Sequence, residues 1–186
     1  MTPLLEVEHL SKSYEGVVAL DDVSFSVAEG SIHALCGENG AGKSTLIKML
    51  SGAVEPTSGS FVFDGVRHQG LTPREAIGLG IRAIYQEFTL IPSLTVAENI
   101  YYGHEPTRAG FCDFAKMNAD TRLLCEQMGV EIDPGLRVSS LGVAQQQVVE
   151  ILKAVSEKAR LLIMDEPTAP LTVRETEVFF QIVRRL

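Results

Sequence analysis

The sequence predicts an α/β fold with a phosphate-binding loop between a strand and a helix, an N-terminal antiparallel β subdomain and an inserted α-helical subdomain. The first observation is an unbroken match to the pattern G-x-x-x-x-G-K-[ST] over residues 37–45. The second is a set of short runs, before and after this loop, in which apolar and polar residues alternate as in half-buried strands. The third is a largely helical pattern from Thr95 to about Arg137.

The phosphate loop has the setting that its chemistry needs. Residues 31–36 are predicted to form a buried strand that runs into the loop, and residues 43–51 a helix that leaves it and is closed by Gly52. Small residues let the backbone wrap closely around a phosphate, while Lys43 adds a cation and Ser44 offers a hydroxyl to Mg²⁺. The predicted nucleotide-binding residues of the loop are Gly37, Glu38, Asn39, Gly40, Ala41, Gly42, Lys43, Ser44 and Thr45.

The composition is that of one soluble globular domain, with 45% hydrophobic and 22% charged residues among 186. The formal net charge of −8, without a cluster of Lys and Arg, argues against nucleic acid or an anionic membrane surface as a partner. Cys36, Cys112 and Cys125 lack metal-ligand spacing and are expected to be reduced thiols. Without a signal peptide or an apolar run of ~18 residues, the protein is expected to need a partner to work at a membrane.

Three alternating runs, residues 4–10, 23–27 and 60–65, predict the antiparallel sheet. Between the first two runs, Tyr14 is expected to lie in a loop over residues 11–16, where its ring could stack on a nucleotide base. The alternative is a tyrosine packed under its own loop.

The middle of the chain predicts a helix over residues 73–80 with Thr72 as its cap, followed by a buried strand over residues 81–85. This strand delivers Gln86 to a loop, where its amide could hold a metal or a water, although a lone Gln is also an ordinary solvated residue. The helical pattern that follows, interrupted over residues 103–110, predicts a helical subdomain over about residues 92–157.

The turn over residues 139–147 is expected to open a helix, with Ser140 as a possible cap. The predicted buried face of this helix is Val148, Ile151, Leu152 and Val155. A turn of small residues before a helix has the form of an anion site, but any capped helix looks the same.

Residues 160–166 are an apolar strand that ends in two carboxylates. Uncompensated acids at the edge of a core are costly, so we expect them to have a function. With a phosphate loop upstream, Asp165 is the expected Mg²⁺ partner and Glu166 the expected general base for a water. Thr172 and Glu175 have capping-box spacing, and the helix they open carries the apolar stripe Phe179, Ile182, Val183 and Leu186.

Taken together, these residues resemble the nucleotide-binding subunit of ATP-binding cassette (ABC) transporters over the whole chain. Tyr14 matches the adenine-stacking aromatic, residues 37–45 match Walker A, Gln86 matches the Q-loop glutamine, and residues 161–166 match Walker B. The signature segment falls on Leu141, Gly142, Val143, Ala144 and Gln145. The fold that the resemblance implies is α/β, with a P-loop NTPase core sheet.

Residues 94–100, 145–151 and 166–172 further resemble bacterial monosaccharide importers, whose ATPase subunit carries two fused cassettes. The resemblance implies an ATPase at the cytoplasmic face of the cell membrane that powers sugar transport, with ATP and Mg²⁺ as cofactors. Ser44, Asp165 and Gln86 would hold Mg²⁺, and Glu166 would polarise the attacking water. The implied partners are a second cassette, membrane permease subunits and, through them, a sugar-binding protein.

The chain departs from the family pattern at three places. Gly142 and Ala144 replace the serine and second glycine of the signature, which acts on the nucleotide of the opposite cassette. Thr172 replaces the usual D-loop aspartate. The family's switch histidine lies about thirty residues past Walker B, beyond Leu186, so the sequence is expected to be part of a longer cassette and inactive by itself.

Two other functions fit part of the same pattern. One is a soluble ABC ATPase without a permease, which the acidic charge and the sugar-importer segments disfavour. The other is a nucleotide-binding module without turnover, which suits residues 1–186 taken alone.

Overall fold

The computed structural model describes residues 3–38 and 40–186. The chain forms two compact units, over residues 1–83 and 84–186. Strands dominate the first unit and helices the second. The α/β class predicted from the sequence is therefore confirmed.

An antiparallel sheet makes up most of the first unit. Its strands are β1 (Pro3–Tyr14), β2 (Val17–Ala28), β3 (Ser58–Phe63) and β4 (Val66–His68), in the order β2-β1-β3-β4. Leu5 of β1 lies opposite Phe63 of β3, and Val7 opposite Phe61, and all four side chains are buried. These cross-strand apolar pairs anchor the register, as the alternating pattern predicted.

Strands β1 and β2 extend further than predicted and meet in a two-residue turn. The expectation that residues 11–16 form a loop is wrong, because residues 11–14 continue β1 and Tyr14 pairs with Val17. Only Glu15 and Gly16 form the turn, with Gly16 at φ 78°. Polar residues fit this end of the hairpin because much of it is exposed to solvent, and this polarity gave the appearance of a loop.

Residues 31–36 are not a buried strand, and this prediction is wrong. They have no regular secondary structure and all six are exposed, including Ile32 at 67% and Leu35 at 42%. A strand needs a neighbour for its backbone hydrogen bonds, and no described residue pairs with this segment in a ladder. The segment thus has the apolar composition of a strand, but no neighbouring strand among the described residues forms a ladder with it.

Helices α1 (Lys43–Leu50) and α2 (Pro73–Gly78) confirm two predicted elements of the first unit, and β5 (Ile81–Ile84) follows them. The buried residues of α1 are Leu46, Ile47, Met49 and Leu50. Thr72 caps α2 as predicted: its hydroxyl accepts the N–H of Glu75 at 3.3 Å, and the Glu75 carboxylate accepts the N–H of Thr72 at 2.7 Å. The bond from the Thr72 backbone holds the pKa of Glu75 below its ordinary value.

The second unit is mainly helical. Its elements are α3 (Val96–Ile100), β6 (Thr107–Arg108), β7 (Phe111–Cys112), α4 (Phe114–Met128), α5 (Val143–Ser156), β8 (Leu161–Met164) and α6 (Val173–Val183). Strands β6 and β7 form a small hairpin that begins in the predicted break over residues 103–110 and ends just after it. The core includes side chains from α3, α4, α5 and α6: Val96, Ile100, Cys125, Met128, Val149, Ile151, Leu152, Phe179 and Ile182. That residues 92–157 form a separate helical subdomain stays a prediction.

The start of α5 differs from the prediction. Ser140 does not cap the helix, because its hydroxyl donates to the carbonyl of Arg137 at 2.7 Å within a 3₁₀ turn. The helix begins after Gly142, whose N–H donates to the side-chain oxygen of Gln145 at 3.2 Å. The predicted stripe is buried at Val148, Ile151 and Leu152 and half-buried at Val155.

Strand β8 and helix α6 lie where they were predicted, but are less buried than expected. All residues of β8 are half-buried. Helix α6 begins after its Thr172 cap and buries Phe179 and Ile182. Leu186 is 54% exposed because the helix ends at Val183, so the stripe does not continue to it.

The three cysteines are free thiols. Cys36 and Cys112 are exposed, whereas Cys125 is buried in α4, where burial raises the pKa of its thiol. None of the helices found in residues 3–38 and 40–186 is long and apolar enough to cross a bilayer.

Gly52 has no room for a side chain. Its φ is 79°, and a β-carbon there would lie 2.5 Å from the carbonyl carbon of Thr72. Gly16 has nearly the same φ, 78°, with nothing within 4 Å of such a β-carbon.

We expect Gly16→Ala to cost about 1–2 kcal/mol of unfolding free energy from the backbone conformation alone. Gly52→Ala should cost a further ~1–3 kcal/mol from the contact, as measured by urea denaturation. Equal losses in the two variants would contradict this close packing.

Candidate functional site

The phosphate loop, residues 37–45, lies in the first unit and leads into α1. Gly40 and Gly42 have φ of 87° and 85°, a backbone conformation that glycine adopts without strain. The N–H of Ala41 donates to the carbonyl of Glu38 at 3.1 Å and closes a turn within the loop. Asn39, also predicted to bind nucleotide, lies outside the described residues.

Gly42 is the N-cap of α1 and packs directly against β2. A β-carbon at this position would lie 2.3 Å from the carbonyl oxygen of Ala19 and 2.9 Å from Cδ1 of Leu20. Both the space and the φ angle therefore require glycine. The contact fixes where α1 begins relative to the sheet.

Lys43 is the first residue of α1, and its side chain folds back over the loop. Its Nζ donates to the carbonyl of Gly37 at 2.8 Å and to that of Glu38 at 3.0 Å. An ammonium group has three N–H donors. The described contacts use two of them, which leaves one for an acceptor at the mouth of the loop.

The N-terminus of α1 is suited to bind an anion. The first N–H groups of a helix have no intrahelical acceptor, and Gly42 offers no side chain to cap them. Ser44 is exposed and Thr45 half-buried in this first turn, and no acidic residue lies there. The helix dipole and the free N–H groups together favour negative charge at this end.

Tyr14, at the end of β1, retains surface for stacking. Its side chain is 47% exposed. Nζ of Lys12 lies 5.1 Å from the ring centroid and also donates to the carbonyl of Glu55 at 2.8 Å. The cation–π contact and this hydrogen bond hold the lysine beside the ring.

Asp165 and Glu166 lie in the second unit, directly after β8. The N–H of Asp165 donates to the carbonyl of Ile84 at 2.9 Å. Glu166 is exposed and has φ 48°, which is uncommon for a residue with a β-carbon. Its carbonyl accepts the N–H of Ala169 at 3.1 Å, so the backbone at Glu166 is held in a tight turn.

Gln86 is exposed in a bend two residues after Ile84. The carbonyl of Ile84 accepts the Asp165 N–H, so the start of the Gln86 loop lies beside the segment that carries both carboxylates. The end of the loop is held by Glu150 of α5, whose carboxylate accepts the N–H of Thr89 at 2.6 Å. Sequence reasoning missed Glu150, although an acid among the buried residues of an apolar helix is a signal that could have drawn attention to it.

The signature segment, residues 141–145, forms the entry to α5. Leu141 is buried, and its carbonyl accepts Nε2 of Gln146 at 3.0 Å. Gly142 has φ −66° and ψ 160°, the extended conformation of an N-cap, and nothing lies within 4 Å of a β-carbon there. Val143 and Gln145 are exposed and Ala144 is half-buried in the first turn, so this end of the helix is open to solvent.

Thr172, which the resemblance aligns with the D-loop aspartate, caps α6. Its N–H donates to the Glu175 carboxylate at 2.8 Å and its hydroxyl donates there at 2.7 Å. The hydroxyl bond holds the pKa of Glu175 below its ordinary value. Because aspartate and threonine both serve as N-caps, the replacement preserves the local structure at the start of α6.

The predicted site residues divide between the two units. Tyr14 and the described residues of the phosphate loop lie in the first, whereas Gln86, the signature segment, Asp165 and Glu166 lie in the second. The described residues contain no group of three or more His, Cys, Asp or Glu side chains that could hold a metal ion. The Ser44 hydroxyl, the Gln86 amide and the Asp165 carboxylate, which were predicted to bind Mg²⁺, each carry a hard oxygen donor of the kind that this ion prefers.

The chain is similar to curated proteins that are named as import ATP-binding proteins. It is 53% identical over its full length to a ribose import ATP-binding protein of Rubrobacter xylanophilus, of which it covers 37%. It is 48% identical over 98% of its length to an arabinose import ATP-binding protein of Chromohalobacter salexigens, again covering 37% of that protein. The chain thus spans little more than a third of the length of these curated relatives.

Solved structures have the same fold. An ATP-binding cassette of an ABC transporter in its ADP conformation matches 99% of this chain, with 76% of its own length covered, at a TM-score of 0.85 and 25% identity. A protein of the ABC transporter complex cbiONQ of Clostridium perfringens matches 99% of this chain, with 73% of its own length covered, at a TM-score of 0.83 and 23% identity. The family model of the ABC transporter matches residues 20–169. The chain belongs to the ABC transporter family.

Proposed function

We propose that this chain is an ATP-binding and ATP-hydrolysing cassette that powers the import of a sugar through an ABC transporter. The observation that carries the proposal is the phosphate loop with Lys43 folded over it and the uncapped N-terminus of α1 behind it. Relatives about half identical over the whole chain are named as ribose and arabinose import ATP-binding proteins, which supports a monosaccharide as the transported class.

ATP would bind through its phosphates to residues 37–45 and through its adenine to Tyr14. The glycines at positive φ and the free N–H groups at the start of α1 fit a polyphosphate, because they present donors without side chains in the way. The remaining N–H of Lys43 would donate to a β or γ phosphate oxygen. The exposed part of the Tyr14 ring would stack on the base.

Mg²⁺ would be held by Ser44, Asp165 and Gln86. The ion would supply positive charge that neutralises the phosphate oxygens as the terminal phosphate is transferred. Glu166 would accept a proton from the attacking water at its carboxylate. Its exposure leaves the carboxylate accessible to a water, and the tight turn limits the directions it can take.

The partners would be a second cassette, fused or separate, membrane permease subunits and, through them, a sugar-binding protein. The signature segment would act on ATP bound to the second cassette. The location would be the cytoplasmic face of the cell membrane, reached through the permease. Support for these partners comes from the import ATP-binding proteins that the chain resembles.

The first test concerns Lys43. Lys43→Ala removes a charge-assisted donor to phosphate and should weaken Mg·ATP binding by about ten- to hundredfold or more. Lys48→Ala is the matched control, because Lys48 is an exposed lysine in the last turn of the same helix. Isothermal titration of the intact protein measures both affinities. Unchanged binding by the Lys43 variant would reject the nucleotide site.

The second test separates the two carboxylates. Glu166→Gln should keep ATP binding while slowing hydrolysis by ~10²–10⁴, the usual contribution of a positioned base. Asp165→Asn should instead shift the Mg²⁺ dependence of turnover to higher concentration. Glu177→Gln, on the exposed part of α6, is the control and should behave as the parent. Phosphate release at equal rates from the parent and the Glu166 variant would show that another group is the base.

The third test concerns the altered signature. The N-cap geometry at Gly142 accepts serine without a clash, so Gly142→Ser should restore a hydroxyl that acts on the nucleotide of the second cassette. We expect higher ATP occupancy at that site, measured by site-specific nucleotide trapping, and no change at the site containing Lys43. Gly142→Ala adds the β-carbon without the hydroxyl and should leave both sites unchanged. A gain at the Lys43 site would refute the action on the opposite cassette.

A further inference from the structure

The loop that carries Gln86 is anchored at both ends within the second unit. At its start, the carbonyl of Ile84 accepts the N–H of Asp165 at 2.9 Å. At its end, Thr89 is bound to Glu150 of α5. The segment between these anchors is only four residues long, so Gln86 has little freedom to move independently of them.

Both carboxylate oxygens of Glu150 lie within hydrogen-bond distance of Thr89. Oε1 accepts the backbone N–H of Thr89 at 2.6 Å, and the Thr89 hydroxyl lies 3.0 Å from Oε1 and 3.1 Å from Oε2. A hydroxyl has one proton, so it donates to one of the two oxygens at a time. The carboxylate therefore accepts two hydrogen bonds from a single loop residue.

Because Glu150 is buried, its hydrogen bonds with Thr89 are costly to break. Glu150 is only 5% exposed and lies next to the buried Val149 and Ile151 of the same helix. A buried carboxylate is costly without donors, and within the described residues both donors to Glu150 belong to Thr89. Displacing the loop would leave this carboxylate without those donors. The loop and the helix are thus energetically coupled at this point.

The chain after Thr89 is fixed as well. Asn99 of α3 is 1% exposed, and its side-chain oxygen accepts the N–H of Ile91 at 2.7 Å. Its amide nitrogen donates to the carbonyls of Ile91 at 3.0 Å and Thr95 at 2.9 Å. A displacement at Thr89 therefore cannot be absorbed easily on the C-terminal side and would be transmitted towards Gln86.

We infer that Glu150 is a positioning residue that sets Gln86 through Thr89, so that Gln86 and helix α5 move together. The signature segment opens α5, and Glu150 lies ~12 Å further along the helix axis, at about 1.5 Å per residue. A shift of the signature would thus change the position of Gln86 through one buried contact. The role of Gln86 in turnover rests on the proposed function, whereas the contact itself does not.

The experiment uses four variants of the intact protein. Glu150→Leu removes both acceptor oxygens, Glu150→Gln keeps one, and Thr89→Val removes the hydroxyl but keeps the N–H. Ser156→Ala is the matched control. The Ser156 hydroxyl donates to the carbonyl of Lys153 on α5 at 2.7 Å, and no described hydrogen bond joins it to the Gln86 loop. Hydrogen exchange of the Thr89 amide reports whether the loop is anchored, and kcat and KM for ATP report the effect of the anchor on turnover.

We expect Glu150→Leu to speed the exchange of the Thr89 amide by about tenfold or more, the factor that a hydrogen bond to a charged group contributes. Turnover at saturating ATP should fall about tenfold, with KM changed by less than about twofold, because ATP binds chiefly to residues 37–45. Glu150→Gln should restore most of the protection and turnover. In the double variant, the effects of Thr89→Val and Glu150→Gln on the exchange of the Thr89 amide and on kcat should be less than additive, because both substitutions weaken the same contact. Ser156→Ala should match the parent.

Unchanged exchange at Thr89 in both Glu150 variants would show that the contact does not anchor the loop. Faster exchange with parental kcat and KM, or a rise in KM alone, would overturn the positioning role. A parent without ATP turnover would refute the proposed function, and the exchange of the Thr89 amide would then still decide whether Glu150 anchors the loop that carries Gln86. If Glu150→Leu fails to fold, Thr89→Val and the double variant with Glu150→Gln, which weakens both bonds, decide the same question.

Discussion

The contact between Gly42 and strand β2 is the constraint on which the candidate chemistry of the first unit depends. A β-carbon would meet the Ala19 carbonyl at 2.3 Å, so only glycine lets α1 begin this close to the sheet. That position directs the uncapped N–H groups of α1 and the Lys43 side chain into the same loop. The positive polarity of this loop therefore comes mainly from the placement of backbone N–H groups, to which Lys43 adds a charge.

The parts of the structure that sequence could predict are those decided within a few residues. The capping boxes at Thr72 and Thr172 follow from a residue pair at fixed spacing, and both form as expected. The antiparallel sheet was also predictable, since alternation in β1 and β3 encodes which face is buried. A local pattern can also mislead. Ser140 is a residue type that caps helices, but its hydroxyl donates to the Arg137 carbonyl within a 3₁₀ turn, and Gly142 is the N-cap of α5 instead.

The parts that sequence could not predict depend on partners far away in the chain. Residues 31–36 have the composition of a strand, but a ladder needs a neighbour, which no pattern inside the segment can supply. Thr89 and Glu150 are 61 residues apart, and neither belongs to a motif that pairs them. For the candidate site, sequence motifs could therefore nominate residues for binding and catalysis, while the contact between Thr89 and Glu150 became visible only in the structure.

Each of the two units carries one exposed thiol, so a thiol reagent can label both units. Cys36 lies exposed just before the phosphate loop, and Cys112 lies exposed in the β6–β7 hairpin of the other unit. Cys125 is buried and its pKa is raised, which disfavours the reactive thiolate. Mild alkylation would therefore place one fluorophore on each unit of the unmodified sequence.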